Sequence, residues 1–190
     1  MKFLSNRTVR LIIPNTFTFL SSVSALIAIY VAYIDKSRYF AIFLLISGVM
    51  DMLDGPIARH LDAKSRFGNI YDSMADLLAF GVGPAMGMFF LGLLHPLVAL
   101  FYILAIQFRL TRYSAMPDEE SDDKFFQGVS SPDCVYLAIL LGLIPYSNYH
   151  IGFLVMGLLA VYPGKLFPKG YRIVKLMIAI VTIFLFWYQG

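Results

Sequence analysis

Long apolar stretches alternate with short polar ones along this chain. A helix needs about 20 mainly apolar residues to cross the hydrocarbon core of a membrane. The pattern predicts seven membrane-spanning helices, at about 11–34, 38–55, 68–93, 95–116, 131–146, 149–164 and 172–189. Pro145, between the short fifth and sixth spans, marks either a turn or a kink. We therefore expect an all-α, polytopic membrane helix bundle that forms one domain over residues 1–190.

The composition supports this class and excludes others. Hydrophobic residues make up 59% of the chain and charged residues only 14%, whereas soluble domains carry about 25% charged residues. The net charge of +3 is small and scattered, so we expect no nucleic-acid partner. Cys134 is the single cysteine and is expected to be a small packing residue.

The positions of Lys and Arg predict the orientation. Short cytoplasmic loops carry an excess of these residues. With seven spans and a cytoplasmic N-terminus, thirteen of the fifteen lie on the inner side, and only Lys36 and Arg38 lie outside. We expect an integral protein of the cytoplasmic membrane.

Four aspartates stand at the junction of the second and third predicted spans: Asp51, Asp54, Asp72 and Asp76. Their spacings of three and four residues place each pair on one face of its helix. A carboxylate inside a membrane span costs several kcal/mol unless it is compensated. Both pairs lie at the predicted cytoplasmic ends of their spans, so we expect them to converge there.

Hard divalent cations would compensate such a cluster. Mg²⁺ or Mn²⁺ binds through carboxylates together with substrate phosphate oxygens. Two ions about 3.5–4 Å apart would hold the entering and leaving oxygens of a phosphoryl displacement. Gly55 and Gly68 would let a backbone or a nucleotide approach, and the planar donor fork of Arg59 suits a phosphate. The alternative, acids on a solvated helix edge paired with nearby bases, does not explain four acids in register.

The stretch DMLDGPIARHLDAKSRFGNIYDSMAD, residues 51–76, resembles the CDP-alcohol phosphotransferase family. It matches the family pattern D-x2-D-G-x2-A-R-x8-G-x3-D-x3-D at every fixed position. The resemblance implies a membrane enzyme of phospholipid biosynthesis with a six-helix catalytic core. Such an enzyme transfers a phosphatidyl-type group from a CDP-linked lipid to an alcohol and releases CMP. The active site would face the cytoplasm, and the protein would be a homodimer.

The resemblance also implies roles for individual residues. The metal pair would be held by Asp51, Asp54, Asp72 and Asp76. Asp76 would also be the catalytic base that removes the proton of the acceptor alcohol. CDP binding would involve Gly55, Ala58, Arg59, Gly68, Asn15 and Thr18.

Flanking stretches resemble the phosphatidylserine synthase branch of this family, with CDP-diacylglycerol and L-serine as substrates. Residues 12–22, IIPNTFTFLSS, resemble its first-span pattern P-N-x-x-T. FRLTRYSAM followed by FFQGVSSPDC resembles R-L-x-R-[YF]-N and F-x-G-[LV]-P-S-P, with Ser114 in place of Asn and Ser130 in place of the first Pro.

The same region offers candidates for acceptor binding. Arg109 and Arg112, one turn apart, would fork the serine carboxylate, unless both are ordinary cytoplasmic anchors beside lipid headgroups. Gln127, Gly128 and Ser131 would form a re-entrant loop over the pocket, unless 117–130 is a plain surface loop.

Other readings stay open at this point. Within the family, the acceptor could be glycerol 3-phosphate or inositol phosphate, and the lipid could be an archaeal ether lipid. Outside it, a cation transporter also uses intramembrane carboxylates, but such transporters tend to show internal repeats, and none is visible here. A polyprenyl-type transferase would carry its aspartate pairs on more distant helices.

Overall fold

The computed structural model describes residues 7–35, 37–115, 125–127, 129–143, 148–163, 165–168 and 180–181. Within these residues the chain is helical except for two short strands and the connections. The elements are α1 (Arg7–Tyr33), α2 (Ser37–His60), α3 (Arg66–Asp76), a π-helical segment (Leu77–Val82), α4 (Gly83–Phe90), α5 (Pro96–Ser114), β1 (Phe125–Gln127), α6 (Ser131–Leu143), α7 (Tyr149–Val161) and β2 (Lys165–Pro168).

Within the described ranges, three helices are long and apolar enough to cross a membrane: Val9–Tyr33, Arg38–His60 and Arg66–Phe90. They confirm the predicted membrane helix bundle. The fifth and sixth predicted spans contain helices of 13 residues each, about 20 Å long at 1.5 Å per residue. The seventh, 172–189, lies outside the described residues except at 180–181, so the count of seven and the side of the N-terminus stay predictions.

Small residues bring the first two helices together. Ala25, Ala28 and Ala32 of α1 are buried at helical spacing, and the Ser47 hydroxyl of α2 donates to the Ser21 carbonyl at 2.9 Å. Small residues let helix backbones approach closely in membranes, and hydroxyl groups then bond across the interface. Helices α1 and α2 are therefore closely packed, and they carry the site residues Thr18 and Asp54.

The third long helix is interrupted by one wide turn just after Asp76. Pro84 has no N–H for the carbonyl of Phe80, four residues earlier, and a proline ring clashes with that carbonyl in a regular α-helix. The chain widens into the π-helical segment, where the Gly83 N–H bonds the Leu78 carbonyl, five residues back. The span predicted at 68–93 is therefore found at Arg66–Phe90, and the wide turn within it is a departure that the sequence pattern did not predict.

The other departure is a strand pair. We predicted 117–130 as a loop, but β1 pairs antiparallel with β2, with Phe126 opposite Phe167 and Gln127 opposite Lys165. The α6–α7 hairpin between the strands therefore leaves and returns at the same end of the molecule. The hairpin is tightly packed, because a side-chain carbon on Gly152 would lie 2.4 Å from the Ala138 carbonyl oxygen.

Candidate metal and substrate site

A tight turn brings the two aspartate-bearing helices side by side. Helix α2 continues past its predicted end at 55 to His60, and α3 begins at Arg66. Asp62 in the turn has φ = 50°, a left-handed conformation that aspartate tolerates better than most residues. Ser65 then caps α3 by accepting a hydrogen bond from the Gly68 N–H at 3.0 Å. The connection is too short to let the helices separate.

The carboxylates converge as the spacing predicted. Oxygens of Asp51, Asp72 and Asp76 all lie within 4.8 Å of one another. Asp54 lies beside Asp72 and lines the same cavity. The four acids therefore form one cluster at the junction of α2 and α3.

This donor set fits a hard divalent cation. Magnesium binds oxygen ligands at about 2.0–2.1 Å, so ligand oxygens on opposite sides of the ion stand about 4.2 Å apart. The three converging oxygens are within reach of that arrangement after small side-chain movements. Like charges this close repel one another strongly unless protons or cations neutralise them. The aspartate cluster is thus able to hold a metal ion through Asp51, Asp72 and Asp76, with Asp54 adjacent.

A buried hydroxyl fixes the fourth aspartate. The Thr18 Oγ1 donates to Asp54 Oδ2 at 2.7 Å, and both side chains are buried. This contact joins α1 to α2 across 36 residues of sequence. Thr18, predicted as a CDP-binding residue, therefore forms a direct hydrogen bond with the carboxylate cluster in this structure.

The other predicted CDP-binding residues lie around the same junction. Gly68 approaches Asn15, since a side-chain carbon on Gly68 would stand 3.4 Å from the Asn15 Oδ1. The Arg59 guanidinium folds back over Gly55, 3.5 Å from the place of such a carbon. Gly55 lines the cavity, and Ala58 accepts a turn hydrogen bond from the Ala63 N–H at 2.8 Å. Their roles toward a nucleotide stay predictions.

A cavity of about 280 Å³ opens over the carboxylates, and α5 and the start of α6 close its other side. Among the described residues that line it, Arg109 is the only base, facing the four aspartates. Arg109 is 5% exposed, and its Nη1 donates to the Ser131 hydroxyl at 2.6 Å. Its Nε is buried and has no hydrogen-bond partner in the described structure. Arg109 therefore contributes a desolvated guanidinium to the cavity wall, and its buried Nε donor is unsatisfied.

The second predicted arginine lies elsewhere. Arg112 is not among the cavity-lining residues. It donates from Nη1 to the Val161 carbonyl at 2.8 Å and from Nη2 to the Tyr162 carbonyl at 3.3 Å. Cations at a helix C-terminus satisfy its free carbonyls and its partial negative charge. Arg112 caps α7, and the two predicted partners of the acceptor have different environments.

The remaining acceptor candidates divide in the same way. Ser131 lies in the cavity wall, whereas Gln127 is part of β1 and Gly128 lies outside the described residues.

Sequence reasoning assigned no site role to several cavity residues, among them Ser73, Tyr113 and Ser130. Ser130 donates to Asp133 Oδ2 at 2.5 Å just before α6 begins. The run Ser-Ser-Pro-Asp is a recognisable helix start, so this signal was available. The Ser73 hydroxyl lies 2.9 Å from that of Ser114, a contact between α3 and α5 that local sequence does not reveal.

Comparison with known proteins identifies the family. The sequence model of the CDP-alcohol phosphatidyltransferase family matches residues 11–188. The chain belongs to this family of membrane-associated enzymes, and the resemblance drawn from residues 51–76 is confirmed.

Individual relatives point to one branch. The chain is 34% identical over 130 residues to a CDP-diacylglycerol–serine O-phosphatidyltransferase of Mycobacterium tuberculosis, covering 64% of this chain and 45% of the relative. It is 31% identical over 192 residues to the protein of that name from Helicobacter pylori, covering 90% of this chain and 79% of the relative. The chain thus spans less than half the length of the mycobacterial relative.

A solved structure shares the fold. The crystal structure of Mycobacterium tuberculosis phosphatidylinositol phosphate synthase with CDP-DAG bound matches with a TM-score of 0.56 at 17% identity, covering 90% of this chain and 86% of the other. At this identity the likeness concerns the fold alone.

Proposed function

We propose that this protein transfers the phosphatidyl group of CDP-diacylglycerol to the hydroxyl of L-serine, giving phosphatidylserine and CMP. Family membership supports the CDP-lipid donor. The relatives named as serine enzymes support the acceptor. The observation that carries the proposal is the buried guanidinium of Arg109 in the same cavity as the four aspartates.

The chemistry of the cavity suits a small zwitterionic acceptor. A buried N–H without a partner is unfavourable, and a carboxylate is the ligand that best satisfies a guanidinium, through two parallel hydrogen bonds. The free Nε of Arg109 and the Ser131 hydroxyl beside its Nη1 offer donors to such a group. In this proposal Arg109 and Ser131 bind the serine carboxylate. Arg112 contributes indirectly, by stabilising the C-terminal end of α7.

Asp76 is proposed as the base. It lines the cavity, and it is close enough to Arg109 for their charges to interact. The hydroxyl and carboxylate of serine are separated by only two carbon atoms, so a carboxylate held at Arg109 leaves the hydroxyl on the Asp76 side. Asp76 accepts the hydroxyl proton as the oxygen attacks the lipid-bearing phosphorus. The bond from that phosphorus to the bridging oxygen breaks, and CMP leaves with the bridging oxygen.

The aspartate cluster would hold two divalent ions, Mg²⁺ or Mn²⁺, which when bound neutralise the diphosphate and polarise its oxygens. The residues of this chain supply the remaining functions. Thr18 keeps Asp54 in its position, while Gly55, Ala58, Arg59, Gly68 and Asn15 surround the cytidine and diphosphate.

We also propose that the site faces the cytoplasm and that the protein is a homodimer, as expected for the family. The pairing of β1 with β2 agrees with the predicted topology, in which both ends of the α6–α7 hairpin lie on the same side of the membrane. In this proposal the basic turn between α2 and α3 and the segment after α7 are both cytoplasmic, as the charge distribution predicts.

The test is a single set of parallel assays on the purified, full-length protein in mixed micelles. CDP-diacylglycerol is supplied with Mn²⁺ or Mg²⁺ and with serine, glycerol 3-phosphate, inositol, inositol phosphate or no acceptor. CMP and the lipid product are both measured. We expect CMP release to depend on serine and to match phosphatidylserine formation. Product formation with another acceptor but not with serine would assign the protein to a different branch of the family.

A matched pair of variants tests the metal site. Asp72→Asn removes one ligand charge and is expected to abolish turnover and weaken Mn²⁺ binding, measured as free Mn²⁺ by electron paramagnetic resonance. The control is Asp62→Asn, in the turn between the same helices. Asparagine tolerates the left-handed conformation of this position as well as aspartate does, so turnover and Mn²⁺ binding should both stay unchanged. Near-normal turnover of Asp72→Asn at ordinary metal concentrations would refute the shared cluster.

A further inference from the structure

In the wide turn after Asp76, the Phe80 carbonyl lacks the hydrogen bond that a regular helix would give it. In a regular helix the Phe80 carbonyl would accept from the residue four positions later, but that residue is Pro84, which has no N–H. Phe80 is 1% exposed, so its carbonyl is shielded from bulk water. The Tyr102 hydroxyl of α5 donates to the Phe80 oxygen at 3.2 Å, and Tyr102 is fully buried. A side chain of the neighbouring helix therefore completes this turn.

The same face of α5 continues into the cavity. Tyr102, Ile106 and Arg109 are spaced by four and three residues and so share one side of the helix. Ile106 packs against Gly81 in the π-helical segment, where a side-chain carbon would lie 3.3 Å from an Ile106 methyl. Arg109, one turn further, reaches the cavity. The Tyr102 hydrogen bond and the Ile106–Gly81 contact together set the register of α5 against the wide turn.

We infer that Tyr102 is a positioning residue for this site: through the Phe80 carbonyl it holds the wide turn that orients Asp76, and through α5 it aligns Arg109 with Asp76. The π-helical segment begins immediately after Asp76. One residue more or less in a helical turn rotates everything on one side of it by about 100° relative to the other side. If the turn rewound, Asp72 and Asp76 would swing away from Asp51. The catalytic roles of Asp76 and Arg109 in this inference rest on the proposed function. The expected effect of Tyr102 on metal binding does not.

The direct test is Tyr102→Phe, which removes the hydroxyl and keeps the ring. A displacement of about 1 Å in a catalytic group lowers rates up to about 100-fold. We expect kcat to fall about tenfold or more, Mn²⁺ to bind several-fold more weakly, and the KM for CDP-diacylglycerol to change less than about twofold. Mn²⁺ binding is measured by paramagnetic resonance on the folded protein without substrate, so this readout holds even if the proposed acceptor is wrong.

The matched control is Phe153→Leu. The Phe153 ring packs edge-on against the Tyr102 ring with centroids 4.8 Å apart. The control removes packing at the same place and retains the hydroxyl, so it should lower the melting temperature while Mn²⁺ affinity and kcat of the folded protein stay normal. Equal losses of Mn²⁺ affinity in Tyr102→Phe and Phe153→Leu would mean that Tyr102 is only a packing residue.

A second variant tests the hydrogen bond itself. Pro84→Ala returns an N–H to residue 84, which gives the Phe80 carbonyl a donor from its own helix. In that background Tyr102→Phe should change Mn²⁺ affinity less than about twofold, because the two donors are alternatives. Unchanged Mn²⁺ affinity and kcat in Tyr102→Phe alone, or the same loss with and without Pro84, would overturn the inference.

Discussion

The sharpest prediction concerns the two arginines of α5, which have the same chemistry and lie one turn apart but have different surroundings. Arg109→Lys keeps the positive charge in the cavity and removes the planar fork. The Arg109 Nη1 already bonds Ser131, and its Nε is the buried donor without a partner. A carboxylate held there by two hydrogen bonds would keep only one with lysine. A hydrogen bond to a charged group contributes about 1.5–3 kcal/mol, and 1.4 kcal/mol corresponds to about a factor of ten. We therefore expect the KM for serine to rise about 10- to 100-fold.

The other kinetic constants of Arg109→Lys should stay close to those of the wild type. The lost bond serves ground state and transition state alike, so kcat at saturating serine should change little. The KM for CDP-diacylglycerol should stay the same. Ethanolamine, which is serine without its carboxylate, provides a substrate control: any slow transfer to ethanolamine should be equally fast in wild type and Arg109→Lys. The assay is the release of CMP at varied concentrations of each substrate.

Arg112→Lys is the matched control variant. Arg112 bonds two carbonyls at the end of α7, and lysine retains a cation there that still favours a helix C-terminus. We expect a fall in melting temperature and a KM for serine within about twofold of wild type, since Arg112 does not line the cavity. A larger effect of Arg112→Lys than of Arg109→Lys on the KM for serine would refute the assignment. So would an equal loss for both substrates in Arg109→Lys, which would indicate a phosphate-binding or folding role.

Three further outcomes follow from the site and the topology. Asp76→Asn should still bind CDP-diacylglycerol and at least one Mn²⁺ while losing about 10²- to 10⁴-fold in kcat, the usual contribution of a general base; recovery at saturating serine or excess metal would make Asp76 a ligand only. Thr18→Val removes the hydroxyl that bonds buried Asp54. It should lower Mn²⁺ affinity about tenfold, because a hydrogen bond to a charged group contributes about 1.5 kcal/mol or more. The Thr16 hydroxyl bonds its own helix, so Thr16→Val should not lower Mn²⁺ affinity, and equal affinity in the two variants would contradict the role of Thr18. Cysteines placed at positions 64 and 190, in a Cys134→Ser background, should be labelled from opposite sides of the membrane; labelling from one side would refute the seven-span topology.

The grouping of the four aspartates at one junction was predictable because it depends on local relations. The spacings of three and four residues put each pair on one helix face, and the apolar stretches on both sides leave the chain a short turn between two spans. A tight turn between α2 and α3 then favours an arrangement in which the aspartate-bearing faces of the two helices meet. Helix periodicity and loop length therefore bring Asp51, Asp72 and Asp76 into one place, and helix packing sets their final separation of 4.8 Å or less.

The difference between Arg109 and Arg112 was not predictable on the same grounds. Both arginines are one turn apart near the end of an apolar helix, and nothing in their neighbours along the chain separates them. Their roles are determined by what packs against α5: the start of α6 brings Ser131 to Arg109, and the end of α7 brings two carbonyls to Arg112. These partners are 22 and about 50 residues away in sequence.

The wide turn after Asp76 stands between these cases. Pro84 in an apolar run indicates that the helix must deviate there, because a proline lacks the N–H and clashes with the preceding turn. The form of the deviation is not contained in that residue. A kink, a break and a π-turn all relieve the clash, and the choice depends on whether the Phe80 carbonyl finds another donor. Tyr102 provides that donor from α5 only after the helices have packed, so the orientation of Asp76 against its neighbours is a property of the tertiary structure.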